Sequence, residues 1–136
     1  RAAPVEVFGW QALGPTGVDV VFTGQLRFAD GVLAQFESGF ASPYRTWLEI
    51  VGRAGSIYLA APFKPAGSTW IDVHHDGYTE RFEVQHQELY QGEIEDMERA
   101  VLDGDAPRIP VADSRNVVAV ITALLQSART GSAVKL

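Results

Sequence analysis

The sequence predicts an α+β domain in which strands come first and helices last: an open, mainly antiparallel sheet of six or seven strands with two C-terminal helices packed on one face. Three observations carry that expectation. Apolar residues alternate with a period of two through the first two thirds of the chain, the period changes to 3.6 from Tyr90 onward, and one long hairpin, LRFADGVLAQFESGF from Leu26 to Phe40, has a single register that sorts its side chains by polarity.

The first strand is Val5 to Leu13, which alternates weakly and ends at the turn cluster Gly14-Pro15-Thr16-Gly17. The hairpin supplies the second and third strands. A two-residue loop at Asp30-Gly31 would set Phe28 against Leu33 and Leu26 against Gln35, mixing apolar and polar side chains on each face. A three-residue loop, Ala29-Asp30-Gly31 with Gly31 left-handed, pairs Phe28 with Val32, Leu26 with Ala34, Gly24 with Phe36, Phe22 with Ser38 and Val20 with Phe40. One face is then almost wholly apolar, and Phe36 is expected beneath the helices. The other carries Asp19, Val21, Thr23, Gln25 and Arg27 opposite Leu33, Gln35, Glu37 and Gly39. A face of that mixed character suits either solvent or a wet subunit interface.

Ser42-Pro43 interrupts, and Arg45 to Val51 and Ser56 to Ala60 read as strands four and five around Gly52-Arg53-Ala54-Gly55. After a loop from Pro62 to Ser68, Trp70 to His74 and Tyr78 to Val84 flank the tight turn Asp76-Gly77. Tyr90, Ile94, Met97 and Val101 form one helical stripe that stops at Asp103-Gly104, with Glu93, Glu95, Asp96 and Glu98 placed early against the helix dipole. Pro107 and Pro110 hold a connector, Asp113 or Ser114 is expected to cap a second helix carrying Val117, Ile121, Leu124 and Ala128, and Gly131 ends it. Ala133 to Leu136 reads as a short last strand.

At 136 residues the chain is sized for one domain, residues 1–136, burying about two thirds of its unfolded surface. Its 46% hydrophobic and 21% charged residues are those of a globular protein, and no apolar run reaches the roughly 20 residues of a membrane helix. A formal charge of −6 with scattered Lys and Arg argues against nucleic acid as a partner. Zero cysteines exclude disulfides and thiolate metal sites without deciding the compartment. No charged segment followed by a long apolar run follows Arg1, so no signal peptide is expected. A chain that opens without Met, directly into a strand, is expected to be a piece of something larger.

Chemistry-bearing motifs are sparse. His74 and His75 are neighbours in a strand and point to opposite faces, so they do not share a metal, and His86 brings no third ligand. The carboxylates of Glu93 to Glu98 spread around a helix instead of pairing. Gly52 to Gly55 is a G-x-x-G between two strands, where a turn explains it, and neither a P-loop, a G-x-S-x-G elbow nor a G-x-G-x-x-G occurs. Trp47, Tyr58, Trp70 and Tyr90 are candidates for a ring or sugar pocket, against the commoner role of such aromatics in a core or interface. Arg45, flanked by Tyr44 and Trp47, is the most site-like polar residue, because a guanidinium among aromatics grips a hydroxyl or carboxylate.

Taken in order, the F-x-x-G hairpin of Phe28 to Gly31, the E-I-x-G-x-x-G element of Glu49 to Gly55, and the tail from Tyr90 through Asp96 and Asn116 to Ser127-Ala128 resemble the C-terminal half of the glucose-fructose oxidoreductase, inositol dehydrogenase and MocA family. Pro62-Phe63-Lys64-Pro65 is most similar to the branch that holds dihydrodiol dehydrogenase and xylose dehydrogenase. The resemblance implies a cytoplasmic two-domain enzyme whose Rossmann domain binds NAD or NADP, with this domain shaping the pocket for a sugar-like or cyclic polyol substrate and forming a homo-oligomer through its open sheet face. The family's glycine fingerprint, its E-K-P segment with the catalytic Lys, and the Asp or His of the helix that opens the C-terminal half have no counterpart here. This chain is therefore expected to hold no catalytic, cofactor-binding or metal-binding residue and to be inactive in isolation. By the same resemblance, Arg45 and Tyr90 are candidates for substrate contact. Thr23, Gln25, Arg27, Gln35 and Glu37 are candidates for the oligomer interface. The rival reading is a free-standing binding or assembly module that dimerises through its sheet.

Overall fold

The structure is a computed structural model that describes residues 3–136; Arg1 and Ala2 lie outside the described residues. Among the described residues, eight strands and two helices follow in the order β1 (Glu6–Leu13), β2 (Asp19–Arg27), β3 (Leu33–Gly39), β4 (Leu48–Gly52), β5 (Gly55–Leu59), β6 (Thr69–His75), β7 (Tyr78–Val84), α1 (Gln91–Leu102), α2 (Val111–Thr130) and β8 (Val134–Lys135). The fold is α+β with antiparallel pairing throughout, and the strands divide into two four-stranded sheets, ordered β3-β2-β1-β8 and β4-β5-β6-β7. Alternation in a sequence identifies strands but not their partners, so this division was not readable from the pattern. Contacts group the chain into two compact units, one of residues 1–43 and 106–136 and one of residues 44–105.

In the first unit the β2–β3 hairpin adopts the three-residue loop. Gly31 sits at φ +86°, its N–H donates to the Phe28 carbonyl at 3.1 Å, and the Phe28 N–H donates to the Val32 carbonyl at 2.9 Å. The Asp30 side chain accepts the Val32 N–H at 3.2 Å, holding the loop from its polar side. The pairs Gly24–Phe36, Leu26–Ala34 and Phe22–Ser38 follow. The Phe40 N–H bonds the Val20 carbonyl at 2.9 Å, which carries the same register to the end of the hairpin.

The apolar face so produced meets α2. Val7, Phe22, Ala123 and Leu124 are buried together, with Leu26, Val120, Leu125, Ala128 and Val134 packed around them. Close approach of the helix requires Gly9 in β1, since a Cβ there would stand 2.7 Å from the Leu124 carbonyl oxygen and 2.9 Å from the Phe22 ring. Ser127 fills the same contact with polar atoms. Fully buried, it accepts the Gly9 N–H at 3.0 Å and donates to the Ser132 carbonyl at 2.7 Å, tying β1, α2 and the turn after it in one relay. Phe36 lies on the helix side and stacks on Phe22 at 6.1 Å, but it remains 41% exposed.

Helix α2 begins three residues earlier than an Asp113 cap, and four earlier than a Ser114 cap, would have it. Pro110, at φ −61° and ψ 147°, is the N-cap, and its carbonyl receives the N–H groups of Asp113 and Ser114 at 2.9 and 3.3 Å. No side chain caps the helix, whose entry is set by proline's fixed φ, and Asp113 falls in the first turn where it opposes the dipole. Gly131 ends the helix in the left-handed conformation, as the sequence indicates.

In the second unit, β4 and β5 join through Arg53-Ala54, and β6 and β7 through Asp76-Gly77, each a two-residue loop closed by the pairs Gly52–Gly55 and His75–Tyr78. One face of this sheet is aliphatic and aromatic, carrying Leu48, Ile50, Ile57, Leu59, Ile71, Val73, Phe82 and Val84. Helix α1 starts after Tyr90 as the change of period indicates, and it contributes no buried residue.

Candidate functional site

The outward face of the first sheet collects the five residues expected at an interface. Register places Thr23 opposite Glu37 and Gln25 opposite Gln35, with Arg27 beside Leu33. Strand β1 extends that face, because Trp10 pairs with Thr23, Phe8 with Gln25 and Glu6 with Arg27. Phe8 and Trp10 meet edge to face at 5.4 Å, and Trp10 is 67% exposed. Arg27 donates from Nε to Glu6 Oε2 at 3.0 Å. Between them lies a shallow depression of about 460 Å³ lined by Glu6, Phe8, Gln25, Arg27, Leu33 and Gln35. Sequence reasoning missed Glu6, Phe8 and Trp10. The signal available was the two-residue spacing of all three in the first strand, which becomes informative only once β2 is known to be its neighbour.

Arg45 and Tyr90 both belong to the second unit. Arg45 stands three residues ahead of β4, in the extended stretch after Pro43. Tyr90 is the N-cap of α1 with φ 68° and ψ −5°, the one non-glycine with positive φ among the described residues. Its carbonyl accepts the N–H groups of Glu93 and Ile94, both at 3.1 Å. A side chain in the left-handed region costs about 1–2 kcal/mol, so the turn before α1 holds the tyrosine against its own preference, and its ring stays exposed.

The same unit presents a polar and aromatic face on its sheet. Direct pairing sets Glu49, Tyr58, Asp72 and Arg81 in one row across all four strands. Two residues along each strand, Trp70 pairs with Glu83 on one side of that row and His74 with Thr79 on the other. Arg81 grips Asp72 with both arms, Nε to Oδ1 at 2.6 Å and Nη2 to Oδ2 at 2.7 Å, and its guanidinium lies 5.7 Å from the centre of the Trp70 ring. The hydrogen bonds from Arg81 hold the Asp72 carboxyl below its ordinary value of 3.8, with lesser help from the charges of Arg81 and His74, while the same bonds push the Arg81 guanidinium up. Trp47 stacks on Tyr58 at 6.4 Å, and His74 Nδ1 lies 2.9 Å from Thr79 Oγ1. On the opposite face His75 stacks on Tyr78 at 4.5 Å, so the two histidines do point apart. Among the described residues no three histidine or carboxylate side chains gather as a metal site, and Gly52 to Gly55 is a hairpin turn, not a phosphate cradle.

Residues 2–58 match the GFO/IDH/MocA C-terminal domain. The D-xylose 1-dehydrogenase (NADP(+)) 2 of Haloferax volcanii is 32% identical over 124 residues, covering 88% of this chain and 38% of the relative. Among solved structures, an aldose-aldose oxidoreductase from Caulobacter crescentus in complex with glycerol superimposes over 99% of this chain and 42% of its own length, with a TM-score of 0.83 at 20% identity. A variant 3-ketoreductase from Actinomadura kijaniata, bound to TDP-benzene and NADP, covers 93% of this chain and 41% of its own length with a TM-score of 0.84 at 22% identity. The chain thus spans about two fifths of the length of the proteins it matches. Residues 2–58 thus match the GFO/IDH/MocA C-terminal domain, the chain over 124 residues is similar to a D-xylose dehydrogenase, and the solved oxidoreductase structures share its fold.

Proposed function

We propose that residues 1–136 act as one unit, the substrate-side and oligomerisation domain of an NAD(P)-dependent, cytoplasmic oxidoreductase working on a sugar-like or cyclic polyol substrate, and that this unit is catalytically silent alone. The observation that carries the reading is the 32% identity to an NADP-dependent D-xylose dehydrogenase over 124 residues, in a chain without a dinucleotide fingerprint. Hydride exchange between nicotinamide and a sugar carbon needs a dinucleotide site, and in this reading the cofactor domain supplies it. Arg45 and Tyr90 contribute substrate contacts, the first as a fork of donors and the second as a strained, exposed ring at a helix start. Thr23, Gln25, Arg27, Gln35 and Glu37, joined by Phe8 and Trp10, form the contact between copies, a composition of aromatics and Arg within a polar surround that suits a wet interface.

Isothermal calorimetry with NADP(H) and NAD(H) and sedimentation at high protein concentration test the two halves of the proposal. The expected outcome is no heat of dinucleotide binding together with reversible self-association. Micromolar dinucleotide affinity would remove the division of labour, and a strict monomer would remove the interface.

A further inference from the structure

The polar face of the β4–β7 sheet has a chemistry that neither a core nor an aliphatic interface requires. Trp47 and Trp70 are 55% and 44% exposed on it, and Tyr58 lies with them. Beside these rings sits a guanidinium–carboxylate pair locked in bidentate geometry, Asp72 paired across the strands with Tyr58 and Arg81 lying 5.7 Å from the centre of the Trp70 ring. The sheet's other face, with Leu48, Ile50, Ile57 and Phe82, is the one suited to an apolar partner. The aromatic face instead complements a molecule that is itself two-sided, with one apolar face and a rim of hydroxyls. We propose that the face bearing Trp47, Tyr58, Trp70, Asp72 and Arg81 binds a neutral monosaccharide ring.

Donor and acceptor counting supports a hydroxyl rim. Each Asp72 oxygen accepts one Arg81 N–H and keeps a further lone pair for a ligand hydroxyl. Arg81 spends Nε–H and one N–H of Nη2 on Asp72, which leaves three donors directed away from the carboxylate. Acceptors and donors thus stand side by side, the arrangement that two neighbouring hydroxyls of a sugar satisfy. The pair fixes its own geometry before any ligand arrives, so little side-chain freedom is lost on binding. Ring C–H bonds then lie against Trp70 and Tyr58, whose faces carry partial negative charge. Charge selects against sugar phosphates and sugar acids: Asp72 neutralises Arg81, and Glu49 and Glu83 share the face. The depressed Asp72 titration agrees, since the acceptor stays ionised through the neutral and mildly acidic range. The proposal rests on the sugar-oxidoreductase reading for its choice of ring, and on the local geometry for the residues.

Saturation-transfer NMR with the 136-residue chain and unmodified D-xylose and D-glucose tests it, read against Trp70→Ala, Trp70→Phe, Asp72→Asn and Arg81→Lys, with circular dichroism confirming each fold. Transfer to the sugar's ring C–H protons is expected at millimolar affinity. Loss of a charge-assisted hydrogen bond in Asp72→Asn should weaken binding about tenfold, Trp70→Ala at least as much, and Trp70→Phe less. No transfer at roughly 0.1 M sugar would overturn the proposal, since a useful site must fill below that concentration. Transfer that persists in folded Trp70→Ala and Asp72→Asn also overturns it, while leaving the oxidoreductase reading intact. Loss of self-association in Trp70→Ala without any sugar signal would make this face a contact between copies and equally overturn the sugar site. Dinucleotide calorimetry bears on the parent reading alone, so the two failures are separable.

Discussion

The two four-stranded sheets are built from the same parts, antiparallel hairpins with short glycine-containing turns, yet among the described residues only one of them has a buried core. In the unit formed by residues 1–43 and 106–136, α2 lies on β1, and Val7, Phe22, Ala123 and Leu124 are buried there. In the unit of residues 44–105, no described residue is buried, although Leu48, Leu59, Ile71 and Phe82 form as apolar a row as any in the first sheet. The difference is the covering element. Strand pairing satisfies backbone hydrogen bonds in both sheets, but apolar surface leaves water only where a second layer carries a matching stripe. Helix α2 has that stripe together with Ser127 to meet the Gly9 N–H, whereas α1 buries none of its side chains.

Substitutions in each unit break or sharpen this contrast. The largest effect is expected for Leu124→Ala, at the centre of the only described core, with a cost of about 2–4 kcal/mol in chemical denaturation. A value below about 1 kcal/mol would mean that α2 does not hold the first sheet. Ser127→Ala comes next at about 1–3 kcal/mol, because the Gly9 N–H and the Ser132 carbonyl both lose their partner in a place sealed from water. Ser127→Thr, with the hydroxyl kept but a methyl added, should disclose by thermal melting how tightly Gly9 and the helix approach. The smallest effect is assigned to Phe82→Ala, under about 1 kcal/mol, since Phe82 is 49% exposed and gives up mainly its cross-strand contact with Ile71. A Phe82→Ala cost matching that of Leu124→Ala would show the aliphatic face to be covered in solution, and its dependence on protein concentration would say whether another copy covers it.

Local chemistry was legible wherever a turn or a period constrained it. Gly31 and the polarity of its flanking residues settle the β2–β3 register, and Asp76-Gly77 settles β6 against β7. The start of α1 at Tyr90 and the Gly131 stop of α2 could be read from the residues, while the α2 start was placed late because Pro110 caps by conformation and not by a side chain. The outward face of the hairpin was legible as far as Thr23, Gln25, Arg27, Gln35 and Glu37. Its extension by Glu6, Phe8 and Trp10 was not, since adjacency of β1 and β2 is a long-range pairing that no local pattern encodes. The aromatic face of the second sheet lies between these cases. Trp47, Tyr58 and Trp70 stood out individually, but only pairing across β4, β5, β6 and β7 brings Asp72 and Arg81 among them.

What the residue order itself determined is therefore the set of strands and helices, the hairpin registers and the family resemblance, because turn geometry, hydrophobic period and motif spacing are local properties of the chain. What only the tertiary structure decided is which strands share a sheet, which apolar face is covered, and which polar groups converge. Those depend on contacts between residues far apart in sequence, such as Gly9 with Ser127 and Val7 with Val134. Such contacts are selected by packing and by the need to satisfy buried polar groups, and neither leaves a periodic trace along the chain.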